Sequence, residues 1–199
     1  ALLKSNVDIF FNTRISALRM KDDRVVGANV STCSGPSHIK ARKGVVLATG
    51  GFSSNSEAFL KWTGIAAPWS ATFSQNTGDG INAALAIGAK LDRDHASGAF
   101  WMPASRLERE DGTVTIYPHI RDRPKPGLIC VGQDGRRFVN ESASYHDVSQ
   151  AMLDRLRERP DSRFYLVCDR HFIREYGLGM INPVWQNLSY YQACGYLFV

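Results

Sequence analysis

Gly44-Val45-Val46-Leu47-Ala48-Thr49-Gly50-Gly51 is the stretch on which the reading of this chain turns. Val45, Val46 and Leu47 follow one another without polar alternation, the pattern of a strand covered on both faces, as in a parallel sheet. Gly50 and Gly51 have no Cβ, so a ligand can meet the backbone at the carboxyl end of that strand, where open α/β sheets bind cofactors. A simple tight strand-to-helix turn accounts for the same residues.

Upstream, Val7–Phe11 and Arg14–Met20 are rich in β-formers, Lys21–Arg24 is a polar turn, and Val25–Val30 forms the next strand. Ser34-Gly35-Pro36 makes another turn before a short strand at His38–Ala41. Together they suggest a β-meander feeding into an α/β sheet. Downstream, Asn55–Trp62 has helical apolar spacing, and Thr77-Gly78-Asp79-Gly80 opens a small-residue helix through Ala89. The texture changes near Ser97–Pro103, where we place a domain boundary: Arg replaces Lys as the main cation, and short strands are expected at Thr113–Tyr117, Leu128–Val131 and Phe138. A helix at Asp147–Glu158 and a buried strand at Phe164–Cys168 follow. The fold class is therefore α/β in residues 1–98 and α+β in residues 99–199.

The 199 residues are 44% hydrophobic and 22% charged, which excludes a disordered tail, a collagen-like repeat and a disulfide-stapled miniprotein. No apolar run reaches the roughly 20 residues of a membrane span. Of the net charge of +5, residues 1–100 carry +4 (11 basic, 7 acidic) and residues 101–199 carry +1 (13 basic, 12 acidic). The basic window Arg121–Arg137 is interrupted by Asp122 and Asp134, which argues against a nucleic-acid footprint. An anionic small molecule or a pyrophosphate-bearing cofactor suits the mild excess. Cys33, Cys130, Cys168 and Cys194 lack metal spacing and suggest a reduced, cytoplasmic chain with no metal site.

Two further motifs carry chemistry. In Thr77-Gly78-Asp79-Gly80, Thr77 or Asp79 can cap the helix, whose free N–H groups attract oxygen-rich ligands, or Asp79 can accept from ligand hydroxyls. In Asp134-Gly135-Arg136-Arg137-Phe138-Val139-Asn140-Glu141, a hairpin turn leads to a strand-to-helix loop ending at Tyr145-His146-Asp147. A hairpin with an Asp147 cap accounts for this segment without any chemistry.

The order and spacing of the three motifs resemble the fumarate reductase/succinate dehydrogenase flavoprotein superfamily, which includes 3-ketosteroid Δ1-dehydrogenases and tricarballylate dehydrogenase. Gly51 to Asp79 is 28 residues, Asp79 to Glu141 is 62, and the likeness runs from Val7 to Tyr196. The resemblance implies an FAD cofactor and a partial Rossmann-like FAD-binding domain over 1–98, with a capping substrate domain over 99–199. It implies that Ile15, Ala48, Thr49, Gly50, Gly51, Gly78, Asp79 and Gly80 lie against FAD.

At the family's dicarboxylate-binding His, 21 residues after Asp79, stands Phe100, followed by Trp101; at its proton-donating Arg, four after Glu141, stands Tyr145. Arg is permanently charged, whereas a tyrosine phenol is neutral with a pKa near 10. The site is thereby more apolar, as in ketosteroid dehydrogenases, whose Asn-Glu-x-x-x-Tyr segment matches Asn140–Tyr145. Tyr145 is the expected general acid/base, or else a Tyr packed under the cap, with His146 tuning or replacing it. Phe100, Trp101, His119, Arg121 and Arg137 are candidate substrate residues; His38, His95 and His171 are expected to be structural.

The expected activity is hydrogen transfer across a carbon–carbon bond next to a carbonyl of a small-molecule substrate, with an electron donor or acceptor as second partner. The alternatives are a carboxylate enzyme of the same superfamily, using Arg121, Arg123 or Arg137 for the acid, and a non-catalytic assembly module. The family's Gly-x-Gly-x-x-Gly turn and late Gly-Glu segment are absent, and both chain ends read as internal to a longer protein. The 199-residue chain alone is accordingly predicted to bind FAD weakly or not at all. Flavin absorbance that stays with it through gel filtration would overturn this.

Overall fold

The computed structural model describes residues 6–66, 69–92, 94, 98–184 and 187–199. His95 and Ser97 lie outside the described residues. The chain divides into two units, Ala1–Gly98 and Ala99–Val199.

The first unit is built on an antiparallel meander of β1 (Arg14–Lys21), β2 (Arg24–Thr32) and β3 (Gly35–Lys40). Asp22 and Asp23, at φ 49° and 58°, make the tight connection between β1 and β2, a left-handed pair that short polar side chains tolerate. Gly27 sits opposite the Ile39 carbonyl so closely that any Cβ would collide with it. Helix α1 (Ser56–Thr63) starts where Asn55 Oδ1 accepts the Ala58 N–H at 3.0 Å and stops at left-handed Gly64. It buries Ala58 and Phe59, and Phe52 packs edge-on to Trp62 with ring centres 4.6 Å apart. Helix α2 (Asp79–Leu85) packs against β1. Neither Thr77 nor Asp79 caps it: left-handed Gly78 is the N-cap residue, without a side-chain bond.

Two expectations fail here. Val7–Phe11 forms no strand, and Phe10 and Phe11 are exposed. Val45–Leu47 also forms no strand, and Val46 is 90% exposed. A parallel strand exists only through ladder bonds to neighbours, and every sheet among the described residues is antiparallel. The observed fold is therefore a mixed helix-and-strand one with small antiparallel sheets.

The second unit contains the hairpin β4 (Ala104–Glu108) and β5 (Val114–Pro118), and the antiparallel pair β6 (Leu128–Gly132) and β7 (Phe164–Cys168). Helix α3 (Tyr145–Glu158) lies between β6 and β7 in the chain, with α4 (Arg170–Tyr176) and α5 (Leu188–Ala193) after them. Ser144, not Asp147, caps α3: its Oγ accepts the Asp147 N–H at 3.1 Å. β7 is not buried on both faces as its apolar sequence suggests; Tyr165 and Val167 point outward, because a two-stranded sheet is covered on one side only. Leu107, Val148, Phe172 and Ile181 are the most deeply buried apolar side chains.

Leu107 of β4 is 1% exposed. Leu107→Ala is expected to lower unfolding free energy by about 3 kcal/mol, read from the urea midpoint at unchanged slope.

Candidate functional site

In the first unit the two glycine turns meet. Gly78 N–H donates to the Gly51 carbonyl at 3.0 Å, a Cβ on Gly80 would collide with Thr49 Oγ1, and left-handed Gly50 faces the Asn76 side chain. Ala48, Thr49 and Gly50 present exposed backbone. Asp79 is held from two sides: Arg14 Nε reaches Oδ2 at 2.6 Å and Nη2 reaches Oδ1 at 2.7 Å, and Thr77 Oγ1 donates to Oδ1 at 3.0 Å. The Arg14 hydrogen bonds, against a smaller opposing effect of burial, lower the Asp79 carboxyl below its ordinary value. The pair joins β1, which carries Ile15, to the start of α2. Arg14, with its side chain 68% exposed, was missed in the sequence because nothing local marks a partner 65 residues away.

This arrangement suits a dinucleotide. The glycines leave backbone accessible, and the Arg14–Asp79 pair still offers Arg14 Nη1 to a phosphate and the remaining carboxylate lone pairs to hydroxyls.

In the second unit, Tyr145 is the first residue of α3 and half-buried, as is His146. The Trp101 N–H donates to His146 Nδ1 at 3.2 Å, and the exposed Phe100 ring stands edge-on to the imidazole at 5.6 Å. Phe100 and Trp101 are thus brought to His146, the neighbour of Tyr145 in the chain. Accepting the Trp101 N–H places a lone pair on Nδ1, so a neutral His146 carries its proton on Nε2.

The loop before Tyr145 is fastened at several points. Glu141 is buried, accepts the Cys130 N–H at 2.8 Å, and pairs with Arg137 through both carboxylate oxygens. Burial alone would raise the Glu141 carboxyl; the Arg137 and backbone hydrogen bonds outweigh it and hold the pKa at about 2. Arg123, 2% exposed, donates from Nη2 to the Ala143 carbonyl at 2.9 Å and from Nε to the His119 carbonyl at 3.4 Å.

His119 lies in a directed chain. Its Nδ1 meets Asp122 Oδ2 at 2.7 Å, its Nε2 meets Ser105 Oγ at 2.8 Å, and Ser105 Oγ meets Tyr196 Oη at 2.6 Å. Gly179 N–H also donates to Asp122 at 2.9 Å, and Met180 N–H to Tyr196 at 3.3 Å. One arrangement satisfies every group: Tyr196 donates to Ser105, Ser105 to His119 Nε2, and His119 Nδ1–H to the carboxylate. Burial pushes the Tyr196 phenol up, and the His119 and backbone hydrogen bonds outweigh burial to lower Asp122. Ser105, Asp122 and Tyr196 were missed in the sequence; Tyr196 lies 91 residues from Ser105. Arg121 is exposed and outside this chain.

The four cysteines are free, and burial pushes Cys130 and Cys168 up to about 11, so neither is a thiolate nucleophile at neutral pH. No group of three metal-ligating side chains is found among the described residues, and no helix among them is long and apolar enough to cross a membrane.

The family model described as "FAD binding domain" matches residues 1–180. The chain belongs to the FAD-binding domain family. It is 31% identical over 196 residues to the 4-oxocyclohex-2-ene-1-carboxylate 5-dehydrogenase of Sinomonas cyclohexanicum, covering 97% of the chain and 33% of that protein. It is 34% identical over 158 residues to the 3-oxosteroid 1-dehydrogenase of Mycolicibacterium smegmatis, covering 76% of the chain and 26% of that protein. The solved 3-ketosteroid Δ1-dehydrogenase from Sterolibacterium denitrificans, in complex with 1,4-androstadiene-3,17-dione, superposes with a TM-score of 0.75 at 30% identity. That match covers 92% of this chain and 33% of that one. The chain thus spans a third or less of the length of the curated relatives it matches.

Glu141 titrates at about 2 here against an ordinary 4.5, so its stabilising effect is complete above about 4.5 and is lost as pH falls toward 2. Glu141→Gln is expected to flatten that part of the acid-unfolding profile, measured as urea midpoint against pH.

Proposed function

We propose that this chain is part of an FAD-dependent dehydrogenase that forms a carbon–carbon double bond next to the carbonyl of a cyclic ketone, or reduces one. The observation that carries the reading is the placement of Tyr145. It opens α3 next to His146, which meets Phe100 and Trp101, on a loop tied down by Arg123, Glu141 and the Ser144 cap. Residues 1–98 belong to the cofactor-binding part and residues 99–199 to the capping part. Free cysteines support a reducing, cytoplasmic compartment.

FAD, when bound, supplies the hydride acceptor or donor. Ile15, Ala48, Thr49, Gly50, Gly51, Gly78, Asp79 and Gly80 hold it, with Arg14 fixing the Asp79 carboxylate. Tyr145 Oη carries the proton: as phenolate it takes one from the carbon beside the departing hydride, and as phenol it returns one in the reverse direction. His146, with Nδ1 engaged by the Trp101 N–H, orients the aromatic wall instead of moving the proton. Phe100 and Trp101 offer an apolar seat for the ring, and His119 with its Asp122–Ser105 partners shapes the hairpin beside it.

In a second reading the substrate ring also bears a carboxylate, as in the substrate named for the Sinomonas relative. Arg123 Nη1, buried without a hydrogen-bond partner among the described residues, favours it, with Arg121 and Arg137 as exposed alternatives.

Tyr145→Phe in the full-length protein is expected to cut kcat by about 10²–10⁴-fold while flavin stays bound. Wild-type turnover in that variant would remove Tyr145 from the mechanism. Running a 3-ketosteroid against a 4-oxocyclohexane carboxylate separates the two readings.

A further inference from the structure

Arg155, Arg157, Arg159 and Arg163 crowd the end of α3 and the turn that follows. Arg157 is bonded to Asp154 at 2.6 Å. The other three line a cavity of about 280 Å³ in the second unit, together with Gly132, Asp134 and Glu158. No hydrogen bond or ion pair engages their guanidinium groups among the described residues. The arginine that has a carboxylate partner is therefore the one outside the cavity lining.

The walls are held in place. The Arg155 guanidinium stacks 5.0 Å over the Phe138 ring, which packs on Phe164 at 5.0 Å. Gly132 keeps the floor open, since a Cβ there would lie 3.3 Å from Arg155 Nη1. Ser162 Oγ donates to the Arg159 carbonyl at 2.8 Å and sets the turn that carries Arg159 and Arg163. Three arginines against Asp134 and Glu158 leave the cavity lining with a formal charge of +1 (three minus two). The carbonyl end of α3 offsets part of this, and an anion in the cavity would offset the rest. Guanidinium forks match phosphate oxygens bidentately. Asp134 and Glu158 on the same wall disfavour a bare polyanion but accept hydrogen bonds from hydroxyl groups. The volume, at the low end for ligand sites, admits only a small molecule.

We propose that this cavity binds a small hydroxylated phosphate ester, its phosphate on Arg155, Arg159 and Arg163 and its hydroxyls toward Asp134 and Glu158. The site is separate from the residues assigned to flavin and substrate, and stands whether or not that assignment does.

The test is calorimetric titration of the full-length, FAD-loaded protein with ribose 5-phosphate at constant ionic strength. Parallel titrations use the Arg159→Gln/Arg163→Gln double variant and Arg157→Gln, with thermal midpoints recorded for each. Binding weakened about tenfold or more in the double variant, and changed less than about twofold in Arg157→Gln, supports the site. No heat with the wild-type protein overturns it, as does equal weakening in Arg157→Gln, which marks a general surface-charge effect. A double variant with a lowered thermal midpoint but unchanged affinity also overturns it, since the arginines would then serve only the helix end.

Discussion

A buried guanidinium organises the second unit. The charges of Asp122 and Glu141 favour the buried Arg123 cation, whose own hydrogen bonds end on the main-chain carbonyls of His119 and Ala143. Burying a cation is expensive unless charge and hydrogen bonds compensate. Here the compensating groups are the anchor points of two loops. One loop holds the His119–Asp122 pair, which reaches Ser105 on β4 and Tyr196 near the chain's end. The other runs from Glu141 to the start of α3. Loops that expose so much main chain could adopt many conformations; this one ion selects a single pairing of them, and the position of Tyr145 depends on it.

The first unit uses the same logic at its surface. Arg14 and Asp79 join a strand to a helix start, but the cation is exposed, so the pair contributes little stability by itself. Its effect is geometric: it fixes which face of α2 meets β1 and leaves the glycine turns adjacent.

Local chemistry was legible in the sequence, and long-range pairing was not. The meander, with its Asp22-Asp23 turn, and the helices beginning near Asn55, Asp79 and Tyr145 are set by periodicity and by turn and cap residues within a few positions, so they read directly. The caps themselves were partly misassigned: Ser144 takes the place read as belonging to Asp147, because neighbouring polar residues compete for the same N–H groups, and left-handed Gly78, without a side-chain bond, takes that of Thr77 or Asp79. The apolar run at Val45–Leu47 misled, since hydrophobicity records the environment a segment suits and not the neighbours present to provide it. Phe100, Trp101, Tyr145 and His146 were singled out through the family resemblance; the contacts of Phe100 and Trp101 with His146, next to Tyr145 in the chain, join residues 45 or more positions apart and have no local signal. Arg14, Ser105, Asp122 and Tyr196 act through partners far away in the chain or through a fold-dependent turn, for which no local pattern exists.

Val46, almost wholly exposed between two other aliphatic residues, has a consequence outside catalysis. A short, branched, uncharged segment with open backbone is the kind that self-associates as cross-β stacks. Arg42 and Lys43, both exposed and just ahead of it, act as gatekeepers, because stacking copies of the segment would also stack their charges.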